Sequence, residues 1–197
     1  MSVNSSDVAK LRSQTGAGMM DCKKALEETG GNMEKAVDYL REKGIAKAAK
    51  RAGKATTEGM VASYIHGAGR IGVLVEVNSE TDFVAKNDSF KALVADIAMH
   101  IAGSNPKYLS REEVPATELE REKSVYRAQL EAEGKPAAMI EKILEGKMGR
   151  YYSEFCLLEQ PFIKEESKTV RDLLNEATQK FGERVEISRF SGISARA

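Results

Sequence analysis

Residues 57–66 and 70–78 read as two strands, whose β-branched runs MVASYIH and IGVLVEVN flank a GAG turn, and this hairpin restricts the fold more than any other feature. Such runs on either side of a short glycine-rich stretch pair antiparallel, because a parallel partner needs a long crossover. One more strand pattern follows much later, RVEISRF (184–190), with Val185 and Ile187 on one face. Strands and helices do not alternate as a parallel sheet requires. The pattern predicts an α+β fold in which a small, about three-stranded antiparallel sheet packs against helices.

Ahead of the hairpin, residues 1–44 read as a compact three-helix unit. Ser5, Ser6 or Asp7 is placed to cap a first helix carrying Val8 and Leu11. TGAG (15–18) breaks it. A second helix turns Cys22, Ala25 and Leu26 inward. TGGN breaks the chain again, and Asn32 caps a third helix with the stripe Met33, Ala36, Val37 and Leu40. Gly44 suits the C′ position that ends this helix.

Residues 45–55, IAKAAKRAGKA, have few apolar anchors and no aromatics, and read as a solvated linker rather than an anion-binding patch. Residues 56–197 then form the α+β core. Within it, Phe90, Leu93, Val94, Ile97 and Ile101 make a helical stripe capped by Asn87 or Asp88. Further helices are expected over 115–133 and 136–155, the latter with Pro136 at its first position. LEQPFIKEES (158–167) reads as a connector. Thr169 caps a last helix carrying Val170, Leu173, Leu174, Ala177 and Phe181 and closed by Gly182.

Chemistry-bearing residues are sparse. The 30 basic and 30 acidic residues balance, so net charge points neither to nucleic acid nor to a membrane surface. No apolar run is long enough to span a bilayer, and MSVNSSDVAK lacks the order of a signal peptide, so a cytoplasmic location is expected. Cys22 and Cys156 form no CxxC and read as reduced, partly buried thiols. His66 and His100 lie in structural runs without the neighbours of a catalytic triad or metal site. GAGRIG (67–72) matches a dinucleotide fingerprint literally, but a strand follows it where the pyrophosphate needs a helix N-terminus. No catalytic residue, metal or cofactor is expected.

Two places stand out as contact surfaces. Met19 and Met20 are consecutive on a helix, where side chains point about 100° apart, so the pair is not expected to be fully core-facing; residue chemistry favours the core and leaves partner contact open. In SETDFVAKND (79–88), Phe83 falls between the last strand and the next helix, and the helical stripe does not need it. Residue chemistry leaves Phe83 open between a core aromatic and a tip presented to a partner.

The blocks LRSQTGAGMMDCKKALEETGGNMEKAVDYLREKG, VNSETDFVAKND and CLLEQPFIKEESKTV, in that order, resemble the bacterial elongation factor Ts family over nearly the whole chain. The resemblance implies a guanine nucleotide exchange factor for the translation GTPase elongation factor Tu. It also implies that the N-terminal unit is similar to ubiquitin-associated domains. Thr81, Asp82, Phe83 and Val84 match the segment that reaches the Mg²⁺ site of the GTPase, with the aromatic as a wedge. Arg12, Met19 and Met20 match the contact positions of the N-terminal domain. Long members of the family carry a second core half and a protruding helical hairpin. No second half is visible here, so the chain resembles the short form and is expected to form a homodimer through its core. The residues leave two other classes: an adaptor binding proteins through its helical unit, and a nucleotide-cofactor enzyme built on GAGRIG. Both rank below the exchange factor.

Overall fold

The computed structural model describes residues 3–195. Met1, Ser2, Arg196 and Ala197, at the ends of the expected 1–44 and 56–197 segments, lie outside the described residues. The N-terminal helices are α1 (Ser5–Thr15), α2 (Met19–Glu28) and α3 (Met33–Arg51). Asn4, not Ser5, Ser6 or Asp7, caps α1 by accepting a hydrogen bond from the Ser6 N–H. Gly16 ends α1 at φ 68°, a conformation that suits glycine. Asn32 caps α3 as expected, accepting from the Lys35 N–H at 3.0 Å. Val8, Leu11, Cys22, Ala25, Leu26, Ala36 and Leu40 form the buried core of this unit.

Gly44 does not end α3. The helix runs through it to Arg51, so most of the expected linker is the last two turns of α3. Gly44 is buried where α3 crosses a later helix (Val170–Phe181): a Cβ at this position would stand 2.7 Å from Oε1 at the movable end of Gln179 and 3.8 Å from the Asn175 carbonyl. Arg41 Nη2 adds a 2.7 Å ion pair to Asp172 on that helix. The glycine marks a close crossing, a meaning that local sequence shares with a helix end.

The core continues with β1 (Glu58–His66), β2 (Ile71–Ser79), α4 (Asp82–Ala85) and α5 (Asp88–Ser104). GAGR is the β1–β2 turn, with Gly67, Ala68 and Gly69 at φ 60°, 55° and 88°. Then come α6 (Ala116–Ala132), α7 (Ala137–Phe155), β3 (Pro161–Phe162), β4 (Glu165–Thr169), α8 (Val170–Phe181) and β5 (Glu186–Ser194). The main sheet is antiparallel in the order β1-β2-β5, so the late strand pairs with the second arm of the hairpin. Its inner face carries Val73, Val75 and Val77. These pack with Phe90, Val94, Ile97 and Ile101 of α5 and with Val170, Leu174 and Ala177 of α8.

The helices expected within 115–155 form an antiparallel pair, α6 and α7, with Leu144, Met148 and Tyr151 inside. Pro136 is the N-cap of α7, one position earlier than its expected place. At the base of the pair, Glu118 accepts hydrogen bonds from Tyr108 (2.6 Å) and Tyr151 (2.5 Å). The segment read as a connector instead forms the two-stranded β3–β4 ribbon. Its strands are too short to show a period in the sequence. Thr169 caps α8 in a reciprocal capping box with Asp172.

The ribbon covers His100, which is fully buried. Its Nδ1 accepts from the Ile163 N–H at 3.2 Å, so Nε2 carries the proton and donates to Gln160 Oε1 at 3.0 Å. Burial holds this imidazole below the ordinary histidine value of 6.5, against the pull of Gln160. The unfolded chain therefore binds a proton below that value that the folded chain refuses. The His100 contribution to folding stability should be full above pH 6.5 and fall as pH drops through the window beneath it. Denaturant titrations at several pH values check this, and His100→Gln should flatten the dependence.

Candidate functional site

The segment from Ser79 to Asn87 presents one aromatic side chain from a rigid base. Ser79 is buried, and its Oγ donates to the Thr81 carbonyl at 2.9 Å. The Thr81 N–H and Oγ1 both donate to the Glu183 carboxylate, at 3.0 and 2.7 Å. Glu80 Oε1 accepts from the Arg184 N–H and from Arg51 Nη1, each at 2.6 Å, and these bonds hold its carboxyl below the usual range. Val84 is buried in the main core, and Asn87 closes the segment by capping α5. Consecutive positions on α4 diverge by about 100°. With Val84 turned inward, Phe83 turns outward and is 83% exposed, more than any other large apolar side chain among the described residues. Asp82 pairs with Lys86 at 2.6 Å, which lowers its carboxyl and raises the lysine.

Phe83 is therefore not part of the core. Both open methionines resolve the same way, with Met19 50% and Met20 73% exposed in the first turn of α2. Arg12 is exposed on α1. The structure does not bring the two groups into contact: α2 packs on α1 and α3, whereas α4 packs on β1, β2 and α5. They sit on different parts of the fold, one on the N-terminal helices and one on the core.

A family model described as "Elongation factor TS" matches residues 3–194. The chain belongs to the elongation factor Ts family. It is 59% identical over 191 residues to an elongation factor Ts of Geobacter sulfurreducens, covering 97% of this chain and 88% of that protein. It is also 59% identical to an elongation factor Ts of Leptospira biflexa, covering 97% of this chain and 96% of that one. The role of this family is nucleotide exchange on elongation factor Tu, and it is the role of this chain. The protein is a binding factor and not an enzyme.

Phe83 is an exposed aromatic on a loop held at its base. Sequence reasoning missed the residues that hold it. Glu80, Glu183, Arg51 and Arg184 lie in ordinary charged runs, and Thr81 is separated from Glu183 by 102 positions. A charge run carries no local signal that one member is an acceptor for a distant backbone. The other candidates have structural roles. Cys22 and Cys156 are free and fully buried rather than partly so, and burial pushes the Cys156 thiol up to about 11. Among the described residues, the His66 ring bonds only to Tyr64 of its own strand, at 3.2 Å.

Proposed function

We propose that this chain releases GDP from elongation factor Tu by inserting Phe83 at the Mg²⁺ side of the nucleotide site, with Thr81, Asp82 and Val84 framing the wedge. Arg12, Met19 and Met20 supply a second grip on the same GTPase. The observation that carries the reading is Phe83, 83% exposed on a loop whose base is fixed. GDP is held through Mg²⁺ and backbone N–H groups around its phosphates. A factor that binds the metal-disturbed state more tightly weakens nucleotide binding by the same factor that nucleotide weakens it. Moving such an equilibrium from mostly closed to mostly open takes about 5.5 kcal/mol of differential binding. One phenylalanine contributes about 2–3 kcal/mol when buried, so the exposed methionines and the core surface must provide the remainder.

Residues 1–44 then act as the helical gripping domain, 45–55 as its connection and 56–197 as the core. The work is done in the cytoplasm, where translation runs. No described helix is long and apolar enough to cross a membrane. The test is stopped-flow release of a fluorescent GDP analogue from elongation factor Tu with substoichiometric factor. Acceleration with turnover supports the reading, and unchanged release overturns it.

The core pairs with a second copy through the outer face of the sheet. Val61, Ile65, Leu74 and Ile193 are exposed there, in cross-strand rows Val61–Glu76–Arg189, Ser63–Leu74–Ser191 and Ile65–Gly72–Ile193. The Glu76–Arg189 ion pair, at 2.7 Å, edges the apolar group. A contiguous apolar patch on a sheet marks an interaction surface, and a two-fold contact lets one patch meet itself. Leu74→Arg should convert a dimer into a monomer in sedimentation velocity. A wild-type chain that sediments as a monomer at micromolar concentration would sink the pairing.

A further inference from the structure

We propose that Glu183 is the positioning residue that holds the Phe83 loop ready for its partner, resting on the wedge reading above. Thr81 is the N-cap of α4, yet its side chain makes no capping bond. A threonine at that position ordinarily turns its oxygen toward the helix N–H groups. Here the hydroxyl donates away from the helix, to Glu183 Oε1 at 2.7 Å, and the backbone N–H of the same residue donates to Glu183 Oε2 at 3.0 Å. With the carbonyl taken by Ser79 Oγ at 2.9 Å, every polar group of Thr81 is committed.

Charge-assisted bonds from one carboxylate to two donors on one residue fix orientation as well as distance. The residue so fixed is two positions before Phe83. Glu183 is itself anchored from behind, because the next residue ties the turn down. The Arg184 N–H donates to Glu80, its Nη1 to the Lys54 carbonyl at 2.7 Å, and its Nη2 to Glu186 at 2.5 Å. Glu186 also accepts from Thr56. Arg51, the last residue of α3, donates to Glu80 at 2.6 Å. The turn 182–186 thus gathers the loop base and the end of the N-terminal helix on one support. A four-residue helix is too short to hold its own geometry, so the loop depends on this support.

The test is a double-mutant cycle in the full chain. Nucleotide release from elongation factor Tu is measured against factor concentration for Glu183→Ala, Phe83→Ala and the double variant. Glu183→Ala should lower the saturating rate roughly tenfold while moving the half-saturating concentration much less, and should cost nothing further when Phe83 is already alanine. Glu183→Gln, which keeps one acceptor oxygen, should fall between wild type and Glu183→Ala. Losses that multiply in both backgrounds, or a Glu183→Ala rate equal to wild type, overturn the positioning role and leave the wedge intact. A Phe83→Ala variant that exchanges normally overturns the wedge and the positioning role together. Thermal midpoints report folding, and if Glu183→Ala does not fold, the cycle is read with Glu183→Gln.

Discussion

Replacing Phe83 by alanine should slow GDP release from elongation factor Tu roughly 30- to 150-fold, with folding stability changed by less than about 0.5 kcal/mol. The two halves of this expectation have one cause. At 83% exposure the ring contributes almost nothing to the fold, so its removal leaves no cavity. Its apolar area is available to a partner, and hot-spot residues of this size act when a pocket excludes water around them. Stopped-flow release and denaturant unfolding of the same preparation separate the effects. A rate within twofold of wild type removes the wedge. A large loss of stability would mean that the ring packs against the fold after all.

Phe90→Ala should do the opposite and lower folding stability by about 3–5 kcal/mol. Phe90 is fully buried, seven positions along the chain, and meets Phe181 edge-on with centroids 6.0 Å apart. It joins α5 to α8 beneath the sheet, where Val94, Leu174 and Val77 share the cluster. Truncation there loses both the burial and the packing around the gap, because a dense core relaxes only in part. The fraction that remains folded should still exchange nucleotide at close to the normal rate. Equilibrium unfolding in urea measures the stability loss. A loss under about 1 kcal/mol would show that the site collapses around alanine.

The two phenylalanines also mark how far the sequence can be read. Phe90 lies on a helical stripe, and period alone assigns it to the core. Phe83 lies off any period, and nothing local distinguishes a tip from a core aromatic. Its exposure follows from the buried Val84 and from bonds at Thr81 that come from a turn about a hundred residues away. Gly44 failed as a sequence signal for a related reason. A glycine after an apolar stripe serves equally as a helix end or as a place where another helix comes close, and only the position of α8 decides between them.

The sequence by itself determined the element types and most of their limits: three N-terminal helices, a hairpin with one late strand, the Asn32 and Thr169 caps, and the stripe along α5. These depend on periodicity and turn chemistry, which act over a few residues. Its family blocks also carried the function. Tertiary structure alone decided that α3 continues onto α8, that β5 pairs with β2 rather than β1, and that residues 161–169 form a ribbon over His100. It alone brought Glu183 under Thr81 and so aimed Phe83 outward. The physical reason is range: propensity and capping are settled by neighbours in the chain, whereas close approach, strand partners and buried acceptors are settled by neighbours in space.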